Sequence, residues 1–117
     1  MVDQELLELA ARAAGLNVKA QSVNADDRWI GLIVGEKHTR ERKFWNPLTD
    51  DGDALRLAVM LKLSLYINHA VRVDYYIPNM LPQVPLYEPL EPDVCASTRR
   101  AIVRAAAAIG NTMGEQE

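Results

Sequence analysis

The segment Trp45-Asn46-Pro47-Leu48-Thr49-Asp50-Asp51-Gly52-Asp53 leads directly into Ala54-Leu55-Arg56-Leu57-Ala58-Val59-Met60-Leu61-Lys62-Leu63, and this order of residue types leaves few folds open. Pro47 has no N–H and pushes Asn46 toward extended backbone, so a strand must stop here. Thr49 or Asp50 is placed to cap a helix, with Asp51 and Asp53 against the positive end of its dipole. Each such device contributes about 0.3 to 2 kcal/mol. Past the cap, apolar residues cover more than one stripe and leave Asp53, Arg56 and Lys62 as the wet positions, which predicts a central helix. Trp45 is the expected buried anchor at its entry.

The remaining elements are read outward from that helix. Val2, Leu6, Leu9, Ala13 and Leu16 recur at helical spacing and Gly15 suits a C-terminal cap, so a helix is predicted over Asp3 to Ala14. Asn17 to Asp27 is polar and weakly alternating, and reads as a loop with room for a short strand. Trp29 to Val34 has the β-branched and aromatic content of a strand. Gly35 suits a two-residue type II′ turn, which would return Lys37 to Phe44 as a polar edge strand. Ser64 to Asn68 and Val71 to Tyr76 form a second predicted hairpin, with Val71, Val73 and Tyr75 on one side and Arg72, Asp74 and Tyr76 on the other. Five of the six prolines fall between Pro78 and Pro92 among apolar residues, which suggests an extended strap across the body. Ile102, Ala105, Ala106, Ile109 and Met113 mark the inner face of a last helix from about Val94 to Ile109, with Gly110 as its stop and a frayed tail from Gly114. The class is α+β: a single domain over 1–117, a small, mainly antiparallel sheet in one layer with three helices, arranged as a layered alpha-beta-alpha sandwich.

Composition narrows function by exclusion. At 117 residues, 49% hydrophobic and 25% charged, the chain can bury a core without disulfides or a structural metal. Its net charge of −3 argues against a surface devoted to phosphate backbones or anionic membranes. Cys95 is the single cysteine, read as a small packed residue in preference to a reactive thiol. No apolar run is long enough to span a bilayer, and Asp3 and Glu5 are foreign to a signal peptide. A soluble, cytoplasmic protein is expected.

Candidate chemistry is sparse. Asp50-Asp51-Gly52-Asp53 invites a metal, but the twelfth position counted from Asp50 is Leu61 and not the distal glutamate of a calcium loop, so capping is the expected role. His38 and His69 have no second histidine or cysteine at ligand spacing, and no glycine loop could cradle a phosphate. No cofactor is expected and no catalytic residue is assigned. Pro82-Gln83-Val84-Pro85 has polyproline-ligand spacing without a flanking basic residue, and is read as part of the strap. Two basic groups remain, Lys37, Arg40, Arg42 and Lys43 on the predicted strand and Arg99, Arg100 and Arg104 on one helix face. They could track a nucleic-acid backbone, although Glu36 and Glu41 interrupt the first and no aromatic platform accompanies it.

The runs "WNPLTDDGDALRLAV" and "TRRAIVRAAAAIG", with a leading helix ending in Ala-Ala-Gly-Leu, resemble a family of small phage and prophage proteins with an alpha-beta-alpha sandwich domain. That resemblance implies fold and origin, the bacterial host cell as location, and no activity. The leading expectation is a non-catalytic accessory protein acting through protein contacts, as a monomer or weak homodimer. Tyr66, Tyr75, Tyr76 and Tyr87 are its candidate binding residues, because tyrosine joins broad apolar area to a polar tip. The alternative is a nucleic-acid-associated protein using the two basic groups.

Overall fold

A computed structural model of the chain describes residues 2–36, 38–77 and 83–115. In order these form α1 (Asp3–Ala13), β1 (Asn17–Val23), β2 (Trp29–Gly35), β3 (Lys43–Trp45), α2 (Asp51–Met60), β4 (Ser64–Ile67), β5 (Val71–Tyr75), β6 (Val84–Glu88) and α3 (Val94–Glu115). The α+β class with three helices and antiparallel sheet holds. The sheet is divided, however, into two three-stranded ladders, β1-β2-β3 and β4-β5-β6, instead of forming one layer.

The predicted helix starts and stops follow local chemistry. Gly15, at φ +75°, ends α1 in a Schellman turn, its N–H bonding the Arg12 carbonyl and that of Leu16 the Ala11 carbonyl. Asp50 caps α2 by accepting the Asp53 N–H at 2.8 Å. Asp93 caps α3, its side chain accepting from the Cys95 N–H at 2.9 Å.

The first ladder departs from the expected hairpin. The segment after Asn17 is a full strand, paired antiparallel with β2 from Asn17↔Gly35 to Val23↔Trp29 through two irregularities in register. Its turn is built by Asn24, whose side-chain oxygen accepts the N–H groups of Asp26 and Arg28. Gly35 is therefore the end of a strand and not a turn residue. A Cβ there would collide with the Glu41 carbonyl, so glycine serves close approach of the returning chain. Among the described residues that return pairs only at Lys43–Trp45, against Val34, Ile33 and Leu32. Lys37 lies outside the described residues, and Arg40 and Arg42 precede the strand.

Centrality is the largest correction. α2 buries Asp53, Ala54, Leu57 and Ala58, but Leu55, Val59 and Met60 are exposed. The central helix is α3, which packs on α1, α2, β5 and β6. Its alanines supply two faces. Ile102, Val103, Ala106 and Ala107 join Leu7, Leu32, Val34, Trp45 and Leu57 in one cluster. Ala101, Ala105 and Ile109 join Val71, Val73 and Tyr75 in the other. Each fully buried Leu or Val contributes about 1.5 to 3 kcal/mol. Gly110 does not stop this helix; it sits inside α3, buried, where a Cβ would strike the Leu9 carbonyl of α1. Part of the supposed strap is also a strand, with β6 pairing antiparallel to β5 from Val71↔Glu88 to Tyr75↔Val84. Pro85 is tolerated because β6 is an edge. Residues 78–82, the rest of that stretch's N-terminal part, lie outside the described residues.

Candidate functional site

Strand alternation decides which side chains β5 presents outward. Val71, Val73 and Tyr75 turn toward α3, leaving Arg72 and Asp74 on the opposite face. Register then sets their neighbours: Arg72 lies opposite Tyr66 of β4 on one side and Tyr87 of β6 on the other. A tyrosine, an arginine and a tyrosine thus form one row across three strands. Tyr66, Tyr76 and Tyr87 are 52%, 53% and 59% exposed. Tyr75 is the exception among the four candidates, buried against α3 because it falls on the inner side of the central strand.

The middle of the row is rigid. Arg72 donates from Nε and Nη2 to the two carboxylate oxygens of Asp74 at 2.8 and 2.7 Å. Its guanidinium carbon lies 4.8 Å from the centre of the Tyr66 ring, within cation–π range. Asp74 is buried beneath this pair. The hydrogen bonds from Arg72, opposed by burial, hold its carboxyl below the ordinary value, and the same contact raises the guanidinium further above its already high one. The guanidinium N–H groups of Arg72 that Asp74 does not take have no acceptor among the described residues. Such a face can dock an extended or loop surface by apolar contact with directed hydrogen bonds at its centre.

The basic candidates are not brought together. Arg99 bonds the Leu48 carbonyl at 2.8 Å and Asp51 at 2.6 Å, tying α3 to the start of α2. Arg100 reaches Asp3 of α1 at 3.2 Å. Arg104 bonds Glu88 at 2.8 Å and the Tyr87 carbonyl at 3.3 Å. Three neighbours claim these arginines because α3 is central, so they stitch elements together and do not face a common phosphate track. Arg42 and Lys43 rim a groove of about 400 Å³ with Glu36 and Glu41, over Val34, Trp45, Leu57 and Met60.

The acidic cluster is structural. Asp50 caps, Asp51 pairs with Arg99, and Asp53 accepts the Asn46 N–H at 3.0 Å and Arg56 at 2.8 Å. Among the described residues no group of three or more His, Cys, Asp or Glu side chains is placed to share a metal. Cys95 is exposed, contrary to the packed position expected, at the rim of a groove it shares with Asp51, Ala54 and Leu55 at the start of α2. No helix among the described residues is long and apolar enough to cross a membrane. Comparison with known protein families, curated proteins and solved structures finds no match.

Alternation along β5 made Arg72 and Asp74 legible as neighbours. The link to Tyr87 had no sequence signal once residues 84–88 were taken for a strap.

Proposed function

We propose that this protein is a non-catalytic phage or prophage accessory protein of the bacterial cytoplasm, which binds another protein through the outer face of the β4-β5-β6 sheet. The observation that carries the binding reading is the Tyr66–Arg72–Tyr87 row, exposed in register across three strands with Arg72 fixed by Asp74. Tyrosine and arginine are the residue types enriched at binding hot spots, and a pre-fixed arginine costs less ordering on association. A binding role is favoured over catalysis because the titratable groups that shift clearly among the described residues, Arg72 and Asp74, are spent on each other. The phage origin and the location rest on the resemblance of the two helical motifs.

A photo-crosslinking residue at position 87, in protein expressed during phage growth, should trap one protein partner. The adduct should disappear in Tyr66→Ala/Arg72→Ala, whose circular dichroism should stay that of a folded chain. Trapping that persists in the folded double variant would remove the sheet face from consideration.

The nucleic-acid alternative draws its support from the same row, since exposed aromatics on a sheet can stack bases. It is the weaker reading, because Asp74 neutralises Arg72 and the α3 arginines are internally paired. Fluorescent single-stranded DNA and RNA should show only weak association, erased by salt. Submicromolar binding at physiological salt would reverse the order of the two readings.

A further inference from the structure

The Tyr66–Arg72–Tyr87 row has a length as well as a composition. Tyr66 and Tyr87 stand on β4 and β6 with β5 between them, each in register with Arg72. Their backbones are therefore two strand spacings apart, about 9.4 to 9.8 Å. Arg72 is pinned in the middle by Asp74 and the Tyr66 ring, whose centre is 4.8 Å from the guanidinium carbon. The hydrogen-bonding character of the row is one-sided. Both Asp74 oxygens are taken by Arg72, whereas the Arg72 N–H groups that Asp74 leaves have no acceptor among the described residues. The face thus offers two exposed rings and spare donors between them, and its carboxylate is already spent.

We propose that the segment seated on this row is a proline-rich stretch of another protein in the polyproline II conformation, with prolines three residues apart packed on Tyr66 and Tyr87. The inference rests on the sheet-face reading and names what that face takes. Period is the first reason. Polyproline II turns once in three residues with a rise of about 3.1 Å each, so side chains at i and i+3 share a side about 9.3 Å apart. That interval matches the separation of the two tyrosine strands. A β-strand puts i and i+2 on one side about 6.7 Å apart and i and i+4 about 13 Å apart, and misses it in both directions. An α-helix comes near it only at i and i+7, about 10.5 Å, and its carbonyls are bonded within the helix, which leaves Arg72 unanswered. Donor balance is the second reason. Polyproline II has no internal hydrogen bonds, so its carbonyls are open to the spare Arg72 N–H groups and to the tyrosine hydroxyls. Proline itself has no N–H, so packing it on a face whose carboxylate is occupied leaves no donor unpaired. Order is the third. The ligand is preformed and Arg72 is fixed, so little freedom is lost on association.

Amide NMR of the isotope-labelled full chain, titrated with a blocked oligoproline peptide, tests this. Oligoproline should give saturable shifts confined to β4, β5 and β6. A Pro-Ala-Ala repeat should bind more tightly than a Pro-Ala repeat of the same length, although the second contains more proline, because only the first places prolines at i and i+3. Tyr87→Ala should weaken oligoproline binding at least about ten-fold, as at a binding hot spot. Tyr87→Phe should restore most of it, and the circular dichroism of both variants should be that of the wild type. No shifts at millimolar oligoproline, shifts away from the second ladder, or equal binding of the two repeats would overturn the proposal. Oligothymidine that moves the same amides when oligoproline does not would also overturn it and assign the row to base stacking. If oligoproline fails while the crosslinker at position 87 still traps a protein, this inference falls alone. If that trap is empty as well, the sheet-face reading falls with it.

Discussion

Asp53→Ala tests how the Trp45–Leu63 segment is held. The Asp53 side chain is 6% exposed, and its two oxygens serve different groups. Oδ2 accepts the buried Asn46 N–H at 3.0 Å and Oδ1 accepts from Arg56 at 2.8 Å. Asn46 in turn donates from Nδ2 to the Ile30 carbonyl at 2.7 Å and accepts the Leu48 N–H at 3.0 Å, so one carboxylate fixes the turn that joins sheet to helix. Truncation leaves the Asn46 N–H buried without its acceptor, which costs about 1 to 3 kcal/mol. Losing an acid from the first turn of α2 adds about 0.3 to 1 kcal/mol. The Arg56 side chain is 62% exposed, so its share is within about 1 kcal/mol. The total is about 1 to 5 kcal/mol, or roughly 4 °C of melting temperature per kcal/mol for a chain of this length. Urea denaturation at pH 7, followed by circular dichroism, measures it. Asp51→Ala is the control, because that side chain is 75% exposed and its loss should cost under about 1 kcal/mol. If Asp53→Ala costs no more than Asp51→Ala, the carboxylate is not holding the turn and the Asp50 cap suffices.

Trp45→Ala should cost about 3 to 5 kcal/mol, since the ring is buried in the first cluster; an unchanged urea midpoint would contradict that packing. Gly110→Ala should destabilise by about 1 to 3 kcal/mol even though alanine is the better helix former, because its methyl meets the Leu9 carbonyl; a raised melting temperature would show that α1 can move aside. Arg72 holds the folded-state ionisation of Asp74 below its ordinary value near 3.8, so the stability this adds is complete above that value and lost as pH falls through the lower, folded one. The gap in urea midpoint between wild type and Asp74→Asn should therefore be constant from about pH 7 to pH 5 and shrink below about pH 4; a gap that widens on acidification would refute the pairing.

What the sequence made legible was local. Caps at Asp50 and Gly15, the β4–β5 hairpin and the inward side of β5 all follow from residues a few positions apart. The errors came where distant partners decide. α2 is the most apolar helix, yet the small residues of α3 win the centre because they admit neighbours on both faces. Gly110 carried the pattern of a helix stop, and only the position of Leu9 explains it otherwise. Polar β1 and proline-bearing β6 became strands because β2 and β5 offered them open edges. The tyrosine row was half visible: Tyr66 and Arg72 fell on the two arms of one predicted hairpin, but their register came only with the structure, and Tyr87 joined them through a ladder that composition did not announce.

The two faces of α3 have a consequence for how this chain comes apart and is made. Neither ladder owns a closed core, since each borrows one wall from the same helix. Loosening either sheet strips α3 on that side and weakens the other, so both should melt in a single cooperative transition. On the ribosome the order is inverted. All six strands precede α3 in the sequence, and its 22 residues take about 1 to 4 s to synthesise. Through that interval the inner face of β5 has no lid, whereas β1 and β2 already have α1 against them, so the second ladder is the part of the nascent chain left open until the shared helix arrives.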